Sequence, residues 1–376
     1  MSETVDHDAF DPSANLRSFL SAEGRQTLQL LERVRGKYVT SPGDAVCMKA
    51  LTELILNAGM RANTALPYSR TNRAEGRIVV ITGESGAGKS RRLMRTLRRH
   101  PALEGKDLAG PDSPVVVVNV PSPCTLKLLG REVLHATGYP LERELLENLV
   151  WERVRRRLDK GNKLIVVFDE MQHITRKLNS DEINKVSDTI KNLMNNLAWR
   201  VSIIVCGLPK IADFIHRDRQ LERRAQFIHI DSLTMPGDNA VIAAMVTKLA
   251  AVADLIVETD IATNLAPRLI HAACNQWGVA IALTHEAIKT ALRPDYLALD
   301  EHDDEIDVGD PQQIGPDGTL TLNHFAEAYE GLLGCADDEN PFVSRDWTTI
   351  RVGEPTAILE ATKSRNTRVG APGGPS

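Results

Sequence analysis

Cysteine is scarce in this chain, and its few copies are scattered. The 376 residues include five cysteines, and no two of them form a Cys-x-x-Cys pair. A structural zinc site of the paired-cysteine kind is therefore not expected. Widely spaced thiols are typical of a reducing compartment, so we predict reduced, buried cysteines and a cytoplasmic protein.

Long apolar runs and an excess of positive charge are also absent, and aromatic residues are few. No apolar stretch approaches the roughly 20 residues that span a bilayer, so we predict no membrane association. A net charge of −5 excludes a uniformly basic coat but permits a local basic face. Aromatic residues make up only 4% of the chain. This argues against single-strand binding by stacking and favours contacts with duplex backbone.

Short apolar runs alternate with helical periodicity in the middle of the chain. β-branched runs separated by helices are typical of a parallel sheet covered on both faces. We predict strands at 78–82, 115–120, 164–168 and 201–206, with a weaker one at 226–230. Helical periodicity without strands marks the flanks, at 16–35, 45–58, 240–256, 265–292 and 322–333.

A complete phosphate-binding motif, G-x-x-x-x-G-K-[ST], follows the first predicted strand. Glycines let the backbone N–H groups point at phosphate oxygens, the lysine reaches the β- and γ-phosphates, and the serine hydroxyl ligates Mg²⁺. The following helix adds the positive end of its dipole. We predict an ATP and Mg²⁺ site at Gly83, Glu84, Ser85, Gly86, Ala87, Gly88, Lys89 and Ser90.

Two adjacent carboxylates, Asp169 and Glu170, follow the third predicted strand. Acidic residues at the carboxyl end of a parallel strand face the ligand crevice. We predict that Asp169 holds Mg²⁺ and that Glu170 polarises the attacking water. The alternative is a helix-capping pair after a core strand.

Arginines are concentrated just before the fifth predicted strand. Hydrolysis needs positive charge on the γ-phosphate transition state, and an arginine finger from a neighbouring subunit can supply it. Arg223 and Arg224 are the candidates, and the pattern does not say which one acts. The alternative is a solvated helix end. At the end of the fourth strand, Cys206 stands where related ATPases carry a polar residue, and its thiol is a poor hydrogen-bonding substitute.

With these motifs in place, the chain resembles TniB and TnsC, the AAA+ regulators of DNA transposition. The phosphate loop and acidic pair are shared by all AAA+ proteins. The more particular features are residues 117–123, 169–174, 207–209 and 339–342. The resemblance implies a homo-oligomer, ring or filament, on duplex DNA that hands the target to a transposase. It also implies DNA contacts at Lys127 and Arg131.

The resemblance also has a departure. Residues 275–280 of the predicted lid carry no arginine where many AAA+ proteins have a second sensor. Slow turnover, with ATP acting mainly as an assembly switch, is the expected consequence. Two other functions stay open: an ATPase that powers secretion or envelope assembly, and an ATP-dependent signalling switch without DNA.

The predicted fold class is α/β, a P-loop AAA+ parallel-sheet core with a helical N-terminal extension and a helical lid. The predicted domains are the extension at 1–75, the core at 76–235, the lid at 236–335 and a flexible tail at 336–376. An acidic, Gly/Pro-rich stretch at 300–318 predicts a solvated loop. In the tail, Phe342 is either an anchor for a partner or packs back onto the lid.

Overall fold

The computed structural model describes residues 17, 20–41, 43–175, 180–257, 260–292 and 318–367. Apart from its last residue, the predicted solvated loop at 300–318 lies outside the described residues. The chain forms two compact units, one of residues 40–232 and one that combines residues 1–39 with 233–376. The four predicted domains stay a prediction, and the two units group the chain differently.

A five-stranded parallel sheet forms the centre of the first unit. The strands are β1 (Ile78–Gly83), β2 (Val115–Asn119), β3 (Ile165–Asp169), β4 (Ser202–Gly207) and β5 (Ala225–Ile230). They lie in the order β2-β3-β4-β1-β5, and every neighbouring pair is parallel. The predicted parallel-sheet α/β core is confirmed. All carboxyl ends therefore share one edge, with β1 between β4 and β5.

Helices cover both faces of this sheet. Alternate residues of β1 point to opposite faces, so Ile78 and Val80 join one apolar core while Val79 and Ile81 join the other. Helix α1 (Ala22–Gly36) belongs to the second unit. The helices of the first are α2 (Gly43–Gly59), α3 (Lys89–Arg99), α4 (Leu126–Ala136), α5 (Glu147–Lys160), α6 (Gln172–Thr175), α7 (Ser180–Asn195), α8 (Lys210–His216) and α9 (Arg219–Glu222).

The second unit is mainly helical. Helix α1 packs there against α10 (Asn239–Val252). A π-helical turn (Ile261–Leu265) then leads into α11 (Ala266–Ala272), α12 (Trp277–Ala291), α13 (Leu322–Leu333) and α14 (Pro355–Thr367). Among the described residues of the whole chain, no helix combines the length and hydrophobicity that crossing a membrane requires.

Two details of the second unit differ from the sequence prediction. Strands do not stop after Pro236, because β6 (Ile256–Val257) pairs in parallel with β7 (Thr319–Leu320). The long helix predicted at 265–292 is divided between α11 and α12. Cys274 (φ 51°) and Asn275 (φ 61°) adopt left-handed backbone conformations there, which a right-handed helix cannot contain.

The described part of the predicted flexible tail is packed into the second unit. Phe342 is 3% exposed, and its ring lies 5.5 Å from Phe325 and 5.8 Å from Tyr329. Asn340 supports this position by donating to the carbonyl of Ala326 (2.8 Å) and accepting from the Phe342 N–H (3.0 Å). The alternative in which Phe342 packs back is the observed one. The polar composition of the segment did not predict this packing, because a few buried apolar residues are enough to hold a mostly polar segment in place.

Candidate nucleotide site

The predicted phosphate loop connects the end of β1 to the start of α3. Gly86 (φ 82°) and Gly88 (φ 84°) adopt left-handed backbone conformations, which explains glycine at both positions. At Gly83 an added Cβ would lie 3.1 Å from the carbonyl oxygen of Ile230, so the loop starts against β5 without room for a side chain. The backbone therefore adopts the tight cradle that the motif predicts.

Lys89 is the first residue of α3, and its side chain folds back over the loop. Its Nζ donates to the carbonyl oxygen of Glu84 at 2.8 Å, and the residue is only 6% exposed. An ammonium group has three N–H donors, so this contact leaves others for phosphate oxygens. Ser90 follows in the first helical turn, where a hydroxyl can serve as an oxygen ligand for Mg²⁺.

Asp169 ends β3 at the same edge of the sheet. Its Oδ1 accepts a hydrogen bond from the backbone N–H of Glu170 (3.0 Å), and its backbone carbonyl accepts from Val120 N–H (2.9 Å). A second oxygen remains for a metal. Among the described residues, no three His, Cys, Asp or Glu side chains form a metal-binding group. A magnesium ion here would need Ser90, Asp169, water and nucleotide oxygens, which is how Mg²⁺ is usually bound.

Cys206, at the end of β4, lies between the phosphate loop and the acidic pair. Burial raises the pKa of its thiol well above the ordinary value, and the charge of Asp169 and a hydrogen bond to it raise the pKa further. The thiol is therefore neutral and bonded to the carboxylate. The charge of Lys89 opposes this rise in the pKa of Cys206, and the charge of Glu170 adds to it.

Glu170 is held in an uncommon backbone conformation. Its φ of 58° lies in the left-handed region, which costs a side chain other than glycine on the order of 1 kcal/mol and is often found at functional sites. The Glu170 carboxylate accepts a hydrogen bond from the side-chain amide of Gln172. In turn, Gln172 Oε1 accepts from the backbone N–H of Leu208 at 3.2 Å.

Gln172 is a site residue that the sequence analysis missed. The available signal was its place two residues after Glu170, but only the fold shows its second partner at the end of β4. Gly207 fits this contact closely, because an added Cβ would lie 2.6 Å from Gln172 Oε1. Gln172 thus fixes the catalytic candidate Glu170 to the neighbouring strand.

The two candidate finger arginines lie at the amino-terminal ends of the strands, opposite the nucleotide site. The carbonyl of Arg224 accepts from the N–H of Ile78, where β1 begins. The phosphate loop lies beyond the length of β1, about 16 Å away at the rise of a strand, which exceeds the reach of an arginine side chain. Neither arginine can therefore touch the phosphates bound by its own chain.

These two arginines differ in what they contact. Arg224 forms an ion pair with Glu75 (Nη2–Oε2, 2.6 Å), and its side chain is 10% exposed. Arg223 is exposed, and within the described part of the chain its guanidinium forms no ion pair or hydrogen bond. Of these two arginines, Arg223 is therefore the one whose unpaired guanidinium can bind another molecule.

The predicted DNA contacts lie on α4 and share one acidic partner. Glu144 bonds to Lys127 Nζ (2.5 Å) and to Arg131 Nη1 (2.6 Å), and all three side chains are partly exposed. These hydrogen bonds and charges lower the pKa of the Glu144 carboxyl, so it is ionised at neutral pH. Two cations against one carboxylate leave a single positive charge in excess.

The family described as bacterial TniB protein matches residues 61–234. The predicted resemblance to TniB is confirmed over this segment. The matched segment contains both the phosphate loop and the acidic pair, and the predictions of an AAA+ fold and of an ATPase are confirmed. No curated protein matches the chain.

Several solved structures are similar to the chain at low sequence identity. ORC2 of Aeropyrum pernix, solved with ADPNP and ADP, is 15% identical with a TM-score of 0.46, covering 71% of this chain and 69% of its own. Cdc6p of Pyrobaculum aerophilum is 13% identical (TM-score 0.47), covering 69% and 65%. ORC1 of Aeropyrum pernix, solved in complex with DNA, is 13% identical (TM-score 0.48), covering 92% and 83%. Identity this low carries no information about activity.

Proposed function

We propose that this ATPase is an ATP-dependent, DNA-binding oligomer that selects target DNA and recruits or activates a transposase. The DNA and transposase parts rest on the TniB match. The observation that carries the oligomeric, ATP-dependent part is the separation of Arg223 from the phosphate loop of its own chain. A guanidinium that is unpaired, exposed and out of reach of its own nucleotide suits a neighbour's nucleotide.

In the proposed reaction, residues at the carboxyl edge of the sheet bind ATP and its metal. The loop N–H groups and Lys89 would hold the β- and γ-phosphates. Ser90 and Asp169 would ligate Mg²⁺, which supplies positive charge against the charge that develops on the phosphates. Glu170, fixed by Gln172, orients the water for in-line attack. In this arrangement ATP would lie where two subunits meet. ATP binding would therefore favour assembly of the oligomer, and hydrolysis would favour its dissociation. Turnover is slow if the lid supplies no second sensor.

Duplex DNA is proposed to contact the basic side chains of α4. Its phosphates would replace Glu144 as the partner of Lys127 and Arg131, and the excess positive charge of this group favours the exchange. Such contacts are sequence-independent, so they suit a protein that marks targets rather than reads one sequence.

A DNA-binding assay with different nucleotides tests this proposal. With labelled duplex, we expect tight, cooperative binding in ATP and weak binding in ADP, and no ATP effect for Lys89→Ala, which loses the phosphate contact. A pull-down of the proposed transposase partner should likewise need ATP. Equal DNA binding by wild type and Lys89→Ala in ATP would refute the ATP switch. ATPase activity without any DNA binding would favour the secretion or signalling alternatives.

A further inference from the structure

A cavity of about 470 Å³ lies at the edge of the sheet opposite the nucleotide site. It is formed by the end of α5 and the residues 161–163 that follow it, the segment 109–112 before β2, and residues 136–138 at the end of α4. Its positively charged lining residues are Arg157, Lys160 and Lys163, and its one negatively charged lining residue is Asp112. Three cations against one carboxylate give the cavity a positive potential.

Backbone carbonyls hold two of these cations in place. Lys163 is 5% exposed, and its Nζ donates to the carbonyl oxygens of Pro111 (2.7 Å) and Ser113 (2.6 Å). Arg157 Nη2 donates to the carbonyl of Thr137 (2.8 Å), and its guanidinium lies 5.2 Å from the ring centre of Tyr139. These contacts orient the side chains without neutralising their charge.

The cavity keeps donor capacity that the described residues do not use. Arg157 Nε is buried and has no acceptor. Lys160 is exposed and forms no ion pair within the described part of the chain. Burial lowers the pKa of Lys163; Asp112 raises it, and the positive charge of Arg157 lowers it further. A bound anion would accept a hydrogen bond from the unused donor and would reduce the repulsion between Arg157 and Lys163.

We propose that this cavity is a second anion site of the protein, which takes a phosphate group on Arg157 and Lys160 with Lys163 behind them. A planar guanidinium and an ammonium are the side chains that phosphate oxygens prefer, and Gly110, Gly138 and Gly161 leave the cavity wall open to a close approach. The volume is in the range of small-molecule pockets and admits a phosphate with an attached sugar.

The helix end alone does not explain this cluster. The carboxyl end of a helix stabilises nearby cations by about 0.3–1 kcal/mol, which would account for Arg157 and Lys160 in the last turn of α5. It does not explain Lys163, which lies beyond the helix and is buried at an energetic cost. Two sources can supply such a phosphate, a nucleic-acid backbone or a free phosphate compound, and the two arms of the test below separate them.

The first arm of the test uses inorganic phosphate. Full-length Lys89→Ala protein, in which the phosphate loop is disabled, is titrated with phosphate by calorimetry. We expect one weak phosphate site. Its affinity for phosphate should fall at least about tenfold when Arg157→Gln and Lys160→Gln are added together (the cavity variant), because charge-assisted contacts are lost. Arg155→Gln with Arg156→Gln removes the same charge from α5 outside the cavity and should leave the site intact.

The second arm uses duplex DNA in the wild-type background, measured by fluorescence anisotropy at several salt concentrations. If the phosphate belongs to DNA, the cavity variant loses affinity and its salt slope falls by about one to two, while the control variant binds as wild type. If only the phosphate titration changes, the site takes a free phosphate compound. The first arm can fail or succeed independently of the proposed function, because binding of inorganic phosphate needs neither DNA nor transposase.

The proposal is overturned if the cavity variant binds both phosphate and DNA as tightly as its parent. A lower melting temperature with unchanged phosphate affinity would likewise mean that the cations only stabilise the end of α5. Lys160→Glu repeats both arms with an exposed residue and leaves the packed Arg157 untouched, so a folding defect in the double variant does not decide the outcome.

Discussion

Gln172 donates a hydrogen bond from its side-chain amide to the carboxylate of Glu170. The same side chain accepts from the N–H of Leu208, the first residue after β4. From there the chain continues through α8 and α9 to Arg223. One side chain therefore connects the candidate for water activation in a subunit's own site with the start of the segment that carries the candidate finger for a neighbour.

Replacing Gln172 with leucine should slow hydrolysis without weakening ATP binding. Leucine keeps much of the volume but cannot bond to Glu170, so the carboxylate loses its fixed orientation. A small misplacement of a catalytic group can cost on the order of a hundredfold in rate. Steady-state assays should show kcat lowered about tenfold to a hundredfold with an unchanged KM for ATP.

A charge variant at the same position separates positioning from packing. Gln172→Glu can still accept from Leu208, but its carboxylate repels Glu170 instead of donating to it, so hydrolysis should slow as it does in Gln172→Leu. If Gln172→Leu and Gln172→Glu both keep the wild-type kcat, Gln172 has no role in positioning Glu170.

Replacing Glu170 with glutamine should preserve ATP binding and nearly stop hydrolysis. A glutamine carbonyl can still accept from Gln172, so the local geometry is kept while the negative charge that polarises water is lost. Calorimetry should give an ATP affinity close to wild type, and the ATP-bound assembly should persist in size-exclusion chromatography. Normal phosphate release would show that another residue orients the water.

The sheet and the phosphate loop were predictable because their signals are local. Each strand is a continuous apolar run, and the loop motif specifies both its own backbone and the helix that follows. The strand order was not predicted, and neither was the hydrogen bond that the Leu208 N–H donates to Gln172, because both depend on which strands become neighbours. Short strands such as Ile256–Val257 also lack a signal, since two residues carry no period.

Charge patterns were the least reliable part of the sequence. Arg92 belongs to a basic run on α3, yet it is 6% exposed and pairs with Asp44 (Nε–Oδ1, 3.0 Å). Likewise, Arg223 and Arg224 are adjacent in sequence, and only the structure shows that one is paired. A row of cations does not reveal its partners, because these come from distant segments.

Single substitutions should therefore separate the two arginines. Arg223→Ala should lower hydrolysis about a thousandfold in the assembled protein, as expected for loss of an arginine finger, and leave the ATP affinity of dilute protein unchanged. Arg224→Ala should mainly affect stability. Hydrolysis measured over a range of protein concentrations checks this. An equal loss at low and high concentration would place the effect of Arg223 within its own subunit.

The pair between Glu75 and Arg224 should make a pH-dependent contribution to stability. The hydrogen bond from Arg224 lowers the pKa of the Glu75 carboxyl, against a smaller opposing effect of burial. A carboxyl with a lowered folded-state pKa stabilises the protein above its unfolded-state pKa, and this contribution disappears as the pH falls through the folded-state value.

Replacing Glu75 with glutamine tests this contribution. Because the Glu75 side chain is 60% exposed, the loss at neutral pH should stay below about 1 kcal/mol. Urea unfolding of both proteins at neutral and acidic pH should show a difference in the free energy of unfolding that vanishes in acid. A difference that is the same at both pH values would mean that the carboxylate charge is not involved.

Replacing Phe342 with alanine should destabilise the second unit. The ring is 3% exposed between Phe325 and Tyr329, and the segment is also fixed by Arg268, whose Nη1 donates to the carbonyls of Pro341 (2.6 Å) and Ser344 (2.8 Å). Emptying a buried phenylalanine site costs about 3–5 kcal/mol, so the melting temperature should fall clearly. Val343→Ala, at a 46% exposed neighbour, is the matched control and should melt as wild type. If Phe342→Ala also melts as wild type but loses the transposase in a pull-down, Phe342 serves as a partner's anchor instead.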